Sequence, residues 1–433
     1  MAPEDSQNES RTTSTTADLN NSGLALHSHS LHLEALEKFQ AALALEPNNP
    51  VILNNLGVCF FSLDLFEEAI QSYKLATVLE PRYVEAHNNL GNALVKLFQH
   101  EEALQCYDQA LALDPGYPEA YWNKALVLLQ LGRFSEGWVL HESRWAKPSF
   151  QPIVRHFPQP IWDGSFSIAG KTLLLHAEQG LGDTLQFLRY VDLVLALGAR
   201  VVLEVQAPLV PLFNGLCAVE ALIKQGGPLP PFDCHCPLMS LPLAFQTTLS
   251  TIPSAVPYIK PSSEKERFWA EKLGPNSQLR VGLVWSGDPR HQNDKHRSIA
   301  LADLLTALPP GFEYVSMQSE IRDSDRHALK GGNDLVHFGS ELKDFSDTAA
   351  LCAQMDVVIC VDTSVVHLSG AMGKPTLLLL PYNSDWRWLL ERTDSPWYPT
   401  MQLYRQAQLG SWQSTLEKVC ADLLGLEQRR FTN

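Results

Sequence analysis

Cysteine is sparse and scattered in this chain, 8 residues among 433. That distribution excludes a small fold stapled by disulfides, and reduced thiols in a cytoplasmic protein are expected. Only Cys234 and Cys236 lie close together, flanking His235. No second Cys/His cluster supplies further ligands, so no metal site is expected. Positive charge is also short: 33 Lys and Arg face 48 Asp and Glu, a formal charge of −15. Such a field repels phosphate at long range, which argues against nonspecific nucleic-acid binding but leaves room for one local basic pocket. Long apolar runs are missing as well, none reaching about 18 residues, so no transmembrane helix is predicted. Residues 1–16 are polar, rich in Ser, Thr, Asn and Glu, and show no secretory pattern; they read as a disordered leader.

Apolar residues nevertheless make up 45% of the chain, enough for a sizeable core, and the length suggests two or three domains. The first third repeats itself. The segments AALALEPNNP, LATVLEPRYV and ALALDPGYPE carry Pro47, Pro81 and Pro115 in matching places, a step of 34 residues, which is the tetratricopeptide period. Leu56–Gly57 and Leu90–Gly91 share that phase, as do Ala35, Ala69 and Ala103, the ring positions Phe39, Tyr73 and Tyr107, and Ala42, Ala76 and Ala110. Small residues let two helices of a repeat approach, the ring fills the gap beneath them, and the proline stops the second helix. Residues 17–147 are therefore predicted to be about four helical repeats, the first a degenerate cap that keeps only Gly23 of the Leu–Gly pair. The last, near 118–147, keeps Ala125 but has Gly137 in place of the inner alanine. Solenoids offer a groove to peptides or proteins. Asn54, Asn55, Asn88, Asn89 and Asn123 fall on first helices near that groove. Their amides either bond the backbone of an extended peptide or are solvated polar positions, and both readings stay open.

Beyond Trp145 the pattern changes. Residues 147–170 read as an irregular linker, after which strand and helix signals alternate. Strands are predicted at Lys171–His176, Val201–Val205 and Phe232–His235, then at Arg280–Trp285, Tyr314–Met317, Val357–Val361 and Thr376–Leu380, with a helix from the 180–183 turn to about Leu197. Such alternation implies parallel sheets with crossover helices. Two Rossmann-like halves are expected, 148–262 and 263–433, with ligands beyond the carboxyl ends of the strands.

Three loops at those ends carry polar chemistry. In Gly180-Leu181-Gly182-Asp183 the glycines permit close backbone approach and Asp183 sits at a helix start, where an aspartate also serves as a plain cap. The loop from Trp285-Ser286-Gly287-Asp288 to Lys295-His296-Arg297-Ser298 is locally basic. In Asp362-Thr363-Ser364-Val365-Val366-His367 the N–H groups open a helix and suit a diphosphate, with His367 one turn on. Gly370, Ala371 and Gly373 keep that helix thin. Asp323-Ser324-Asp325 matches the spacing of a metal–nucleotide pair but lies in a charged stretch and reads as surface.

The segments EQGLGDTLQFLRY, VGLVWSG with DKHRS, and VDTSVVHLSGAMGKP together resemble the heptosyltransferase-like glycosyltransferases of the GT-B fold, above all bacterial proteins in which that domain follows tetratricopeptide repeats. FDCHCPLMSLPLAF and DWRWLLERTDSPWYP also look like that subgroup. The resemblance implies an α plus α/β protein: a repeat solenoid followed by two Rossmann-like domains performing inverting, metal-independent transfer from a nucleotide sugar, with no separate cofactor. It implies Asp183 as general base. Lys295 would meet the donor phosphates, Asp362, Thr363, Ser364 and His367 the donor-binding turn, and Ser286 and Gly287 the same site. Gln318 stands where an acidic or amide donor contact is usual, and His235, Asp385 and Trp386 fall on the acceptor side. The expected acceptor is a protein or peptide recruited by the repeats. The alternatives are transfer to lipopolysaccharide or another glycan, and a non-catalytic interaction protein with a degenerate transferase domain.

Overall fold

The computed structural model describes residues 14–215, 218–330 and 335–432. Residues 1–13 of the expected leader lie outside the described residues; its last residues begin the first helix, where Thr15 and Asp18 form a capping box. The chain divides into two compact units, Met1–Val127 with Leu140–Gln151, and Leu128–Val139 with Pro152–Asn433.

The first unit is a tetratricopeptide array. Its helices are α1 (Thr16–Ser28), α2 (His32–Leu45), α3 (Pro50–Ser62), α4 (Phe66–Leu79), α5 (Val84–Lys96) and α6 (His100–Leu113), followed by α7 (Pro118–Gln130) and α8 (Phe134–His141), whose residues are divided between the two units. The in-phase small residues explain the pairing. Ala35, Ala69 and Ala103 are fully buried, and so are Ala42, Ala76 and Ala110. A Cβ placed on Gly57 or Gly91 would lie 2.6 Å from the ring of Tyr73 or Tyr107, well inside van der Waals contact. Gly23 meets Phe39 at the same 2.6 Å. The first repeat, expected to be a degenerate cap, therefore keeps the internal packing of the others. Each second helix ends two residues before Pro47, Pro81 or Pro115.

The second unit holds two parallel sheets. The first contains β1 (Thr172–His176), β2 (Arg200–Val205), β3 (Ala221–Lys224) and β4 (Cys234–Pro237), ordered β3-β2-β1-β4. In the second are β5 (Arg280–Val284), β6 (Glu313–Ser316), β7 (Val336–His337), β8 (Val357–Val361), β9 (Thr376–Leu380) and β10 (Met401–Arg405), ordered β10-β9-β8-β5-β6-β7. β1, β5, β8 and β9 are buried along their whole length, as strands covered on both faces must be. Strand order reverses between β1 and β4 in one sheet and between β5 and β8 in the other, so loops there diverge and leave a crevice. On β4, alternate residues point to opposite faces, so Cys234, His235 and Cys236 do not converge on one ion. No described helix is long and apolar enough to cross a membrane.

Around the end of the array the two units interleave along the chain, residues 140–151 returning to the first. Residues 128–139 belong to the second unit. Trp138 is buried there, its ring edge-on to Trp386 at 5.3 Å and to Phe187 at 6.5 Å, and its indole N–H donates to the Thr247 carbonyl at 3.1 Å. Phe134 stacks on Trp397 at 6.1 Å. Truncating a buried aromatic removes its transfer free energy and leaves a cavity, costing about 3–5 kcal/mol. Trp138→Ala is expected to destabilise the second unit by that amount, read by urea unfolding followed through near-UV dichroism; an unchanged midpoint would remove the 128–139 segment from that core.

Candidate functional site

The three polar loops sit at the strand ends around the two reversals. The helix Ser364–Ala371 after β8 packs on the helix Leu181–Phe187 after β1. Gly182 makes that approach possible: a Cβ there would lie 2.8 Å from His367 Cδ2. One turn on from His367, Gly370 leaves no room for a side chain against the Tyr398 ring. Asp183, Asp362 and His367 are thus brought into one cluster, together with residues of the turn after β9.

That turn supplies the groups the sequence reading missed. Arg387 Nη2 pairs with Asp183 Oδ1, Nη1 donates to Asp385 Oδ1 at 2.8 Å, and Nε donates to Gln186 Oε1 at 2.6 Å. The other oxygen of Asp183 accepts from the Gly180 N–H at 2.8 Å. Trp388 donates its indole N–H to Asp362 Oδ2 at 2.9 Å and lies parallel to the His367 ring at 5.5 Å. His367 Nδ1 is hydrogen-bonded to the Tyr398 hydroxyl at 2.9 Å. Arg297 donates to the Asp362 carbonyl at 2.9 Å. The signal for Arg387 and Trp388 lies in DWRW, the segment that also holds Asp385 and Trp386.

Burial governs the titrations. It lowers His367 well below the ordinary imidazole value, with Arg387 and Arg189 adding to the effect, so His367 is neutral. Asp183 is raised, because burial outweighs the opposing Arg387 and Asp385 adds to it. Asp362 is pushed up to about 6, first by burial and then by Asp385, while Trp388 and Arg387 pull it down. For Arg387, burial favours the neutral form, but Asp385 and Asp183 outweigh it and raise the guanidinium above its ordinary value.

Several sequence expectations change at this point. Lys295 is exposed on the basic turn, and it is Arg297 of the same turn that touches the Asp362 backbone. Gly287 lies against the Arg297 guanidinium, which a side chain would displace, and its N–H donates to Ser298 Oγ at 3.1 Å. Gln318 has spent its amide on the protein: Oε1 accepts from the N–H groups of Trp285 at 3.0 Å and Ser286 at 2.8 Å, and Nε2 donates to Ser286 Oγ and the Glu320 carbonyl, each at 3.1 Å. Both lone pairs and both amide hydrogens are in use, so Gln318 and Ser286 brace a loop. Trp386 is buried against Trp138 and Trp397 and is not presented to an acceptor. His235 is also buried, its Nδ1 3.2 Å from His176 Nε2 and its ring against Phe157, away from the Asp183 contacts; burial and then Arg155 lower its titration. Asp325, expected at the surface, is buried and accepts from the Trp285 indole at 2.9 Å and the Leu301 N–H at 3.1 Å, whereas Asp323 is exposed. Thr363 is the N-cap of the 364–371 helix and makes no side-chain capping bond; the Val366 N–H turns back to the Thr363 carbonyl at 3.1 Å, so the helix start faces an anion with the Ser364 and Val365 N–H groups.

The array carries a second feature. Asn55 Nδ2 donates to Asn20 Oδ1 at 2.9 Å, Asn89 to Asn54 at 3.0 Å, and Asn123 to Asn88 at 2.9 Å. The first helices of successive repeats are thus linked by a ladder of side-chain amides.

A raised carboxyl has a stability consequence of definite sign. Below about pH 4 both folded and unfolded chains hold the Asp362 proton, and above about 6 neither does. Between these values the folded state binds more protons, so stability falls as pH rises through that window. Asp362→Asn keeps an acceptor for Trp388 and carries no charge. It is expected to be more stable than wild type at pH 8, with the gap closing toward pH 4, as read by urea unfolding at both; a gap independent of pH would mean that ionisation of Asp362 carries no penalty.

Comparison with known proteins supports the repeat array directly. Residues 84–117 match the family model described as tetratricopeptide repeat, and residues 60–97 match one described as TPR repeat. Protein FlbA of Caulobacter vibrioides is 29% identical over 322 residues, 68% of this chain and 53% of FlbA; the chain spans about half the length of that relative, and the match is too long to be confined to the repeats. Among solved structures, a thermophilic TPR protein of Thermus thermophilus is 22% identical, covering 32% of this chain and 77% of that one with a TM-score of 0.30. The first TPR of Spaghetti (RPAP3), bound to the HSP90 peptide SRMEEVD, is 26% identical, covering 26% of this chain and 90% of that one with a TM-score of 0.26.

Proposed function

We propose that the second unit is an inverting glycosyltransferase of GT-B type that uses a nucleotide sugar without a metal, and that the tetratricopeptide array recruits a protein acceptor. The observation that carries this reading is the meeting of the 180–183 turn with the 362–367 turn at the carboxyl ends of β1 and β8. It sets a carboxylate from one sheet opposite a helix start from the other. The anion-binding N–H groups of the 364–371 helix and the Arg297 guanidinium suit a diphosphate, with Lys295 at the rim of the same basic turn. Asp362 repels phosphate and is held by Trp388, so it shapes the turn or bonds a sugar or ribose hydroxyl. His367, neutral and tied to Tyr398, offers a hydrogen bond and not a charge.

In this reading Asp183 removes the proton of the acceptor hydroxyl. The oxygen forms the new bond to the anomeric carbon on one face while the bond to the diphosphate breaks on the other, its electron pair leaving on phosphate oxygen. The proton stays on Asp183, and the new charge falls where the helix start and Arg297 stand. The asparagine ladder favours a peptide acceptor over a glycan. Asn55, Asn89 and Asn123 each spend one amide hydrogen on it and Asn20, Asn54 and Asn88 one lone pair; Asn54 and Asn88 are buried, and the half-buried Asn20, Asn55, Asn89 and Asn123 keep further amide valences, repeated at the spacing of the helices, which suits the backbone of an extended chain.

The test is thermal unfolding against a panel of nucleoside diphosphates and nucleotide sugars. A ligand at about one hundred times its Kd stabilises the folded state by roughly 2.7 kcal/mol, so one base is expected to raise the melting temperature by a few degrees while the rest leave it unchanged. Asp183→Asn is expected to keep that shift and lose about 10²–10⁴-fold in turnover. If no member of the panel moves the transition, or if Asp183→Asn turns over normally at saturating donor, the assignment of donor site or base fails.

A further inference from the structure

We propose that Arg387 is the positioning residue for Asp183: it fixes the carboxylate in place and supplies its counter-charge. The inference rests on the reading of Asp183 as the base. Its ground is the geometry of the pair. The Arg387 side chain is 9% exposed and each of its three nitrogens has a partner, one of them Gln186 on the same helix as Asp183. Asp183 is held on one oxygen by the guanidinium and on the other by the Gly180 amide, so its direction is fixed by both sheets' loops at once.

The turn that carries Arg387 is itself held. Asp385 accepts from the Arg387 N–H at 3.0 Å, and Arg405 on β10 donates to the Trp388 carbonyl and to Ser384 Oγ, each at 2.5 Å. Leu389, immediately after it, has φ +56°, a backbone region that a leucine occupies only where its surroundings enforce it.

The charged and titratable groups around Asp183 pull in opposite directions. Arg387 and Asp385 face it from the 385–388 turn, His367 faces its helix from 364–371 against Gly182, and Asp362 stands beyond the Trp388 indole. Burial raises the Asp183 carboxyl, Arg387 opposes it, and Asp385 reinforces it. A buried aspartate without a cation keeps its proton and accepts no other. Arg387 therefore decides whether this carboxylate is available, and the guanidinium fork fixes its orientation in a way a lysine does only in part.

The experiment follows Asp183 itself. Aspartate labelled with ¹³C at the side-chain carboxyl is incorporated into the full chain, the Asp183 signal is assigned by its loss in Asp183→Asn, and its midpoint is titrated. Arg387→Met is expected to raise the midpoint by about 1–3 pH units, Arg387→Lys to return it most of the way, and Asp385→Asn to lower it. In a folded Arg387→Met protein an unmoved midpoint overturns the proposal. Should that variant not fold, a rise in Asp385→Asn does so on its own. Where turnover is measurable, the acid limb of kcat/KM is expected to move with the midpoint. The carboxyl readout does not depend on sugar transfer: a moving midpoint in a protein that binds no nucleotide sugar would sink the transferase reading and leave the electrostatic pairing standing, whereas transfer with an unmoved midpoint would sink the role of Arg387 alone.

Discussion

One ion pair, the buried Arg387 with the half-buried Asp183, ties the loops of the two sheets of the second unit together. Its partners come from different sheets, and neither is stable in place without the other, since removing one member of such a pair strands a desolvated charge. A second guanidinium works beside it. Arg189, just after the Asp183 helix, donates to the Trp397 carbonyl at 2.6 Å and to the Tyr258 hydroxyl at 3.0 Å, and stacks on the Tyr398 ring at 4.5 Å. Carbonyl oxygens and aromatic faces meet this cation, a softer solution than a carboxylate and one that adds no negative charge near Asp183, Asp362 and Asp385.

Much of the architecture was legible in the chain because it repeats or alternates. The 34-residue step, the Gly57–Tyr73 and Gly91–Tyr107 pairs and the buried alanines follow from close helix packing, which leaves the same small residues in every repeat. Asp183, Asp362 and His367 were legible because helix starts after apolar strands are recognisable locally. Strand order was not: nothing local says that β5 lies beside β8, although that neighbourhood places the basic turn next to Asp362. The short strands β3 and β7 and the final helix Gln413–Thr432 also escaped, two of them too brief to show a period.

The residues misjudged share a cause. Asp325, Gln318 and Trp386 are polar or amphipathic side chains in short helical turns or a loop, where sequence gives no measure of burial. Their partners lie dozens of positions away, so each looked available for a ligand or for solvent. Arg387 was overlooked for the converse reason: its partner Asp183 is about two hundred positions upstream, and only folding reveals the pair. The asparagines form an intermediate case. Their spacing announced a row, but that the amides bond one another from repeat to repeat is a property of helix stacking.

The allotment of residues 128–139 to the second unit has a consequence for how such a chain can vary in length. A further 34-residue repeat inserted ahead of Pro118 adds one more rung to a structure whose contacts run between neighbours, and it disturbs no residue of the aromatic core around Trp138. Removing the last hairpin is different, for it takes Phe134 and Trp138 with it. Lengthening and shortening are therefore tolerated on the upstream side only, and in any engineered exchange of arrays the join belongs before α7, not after α8.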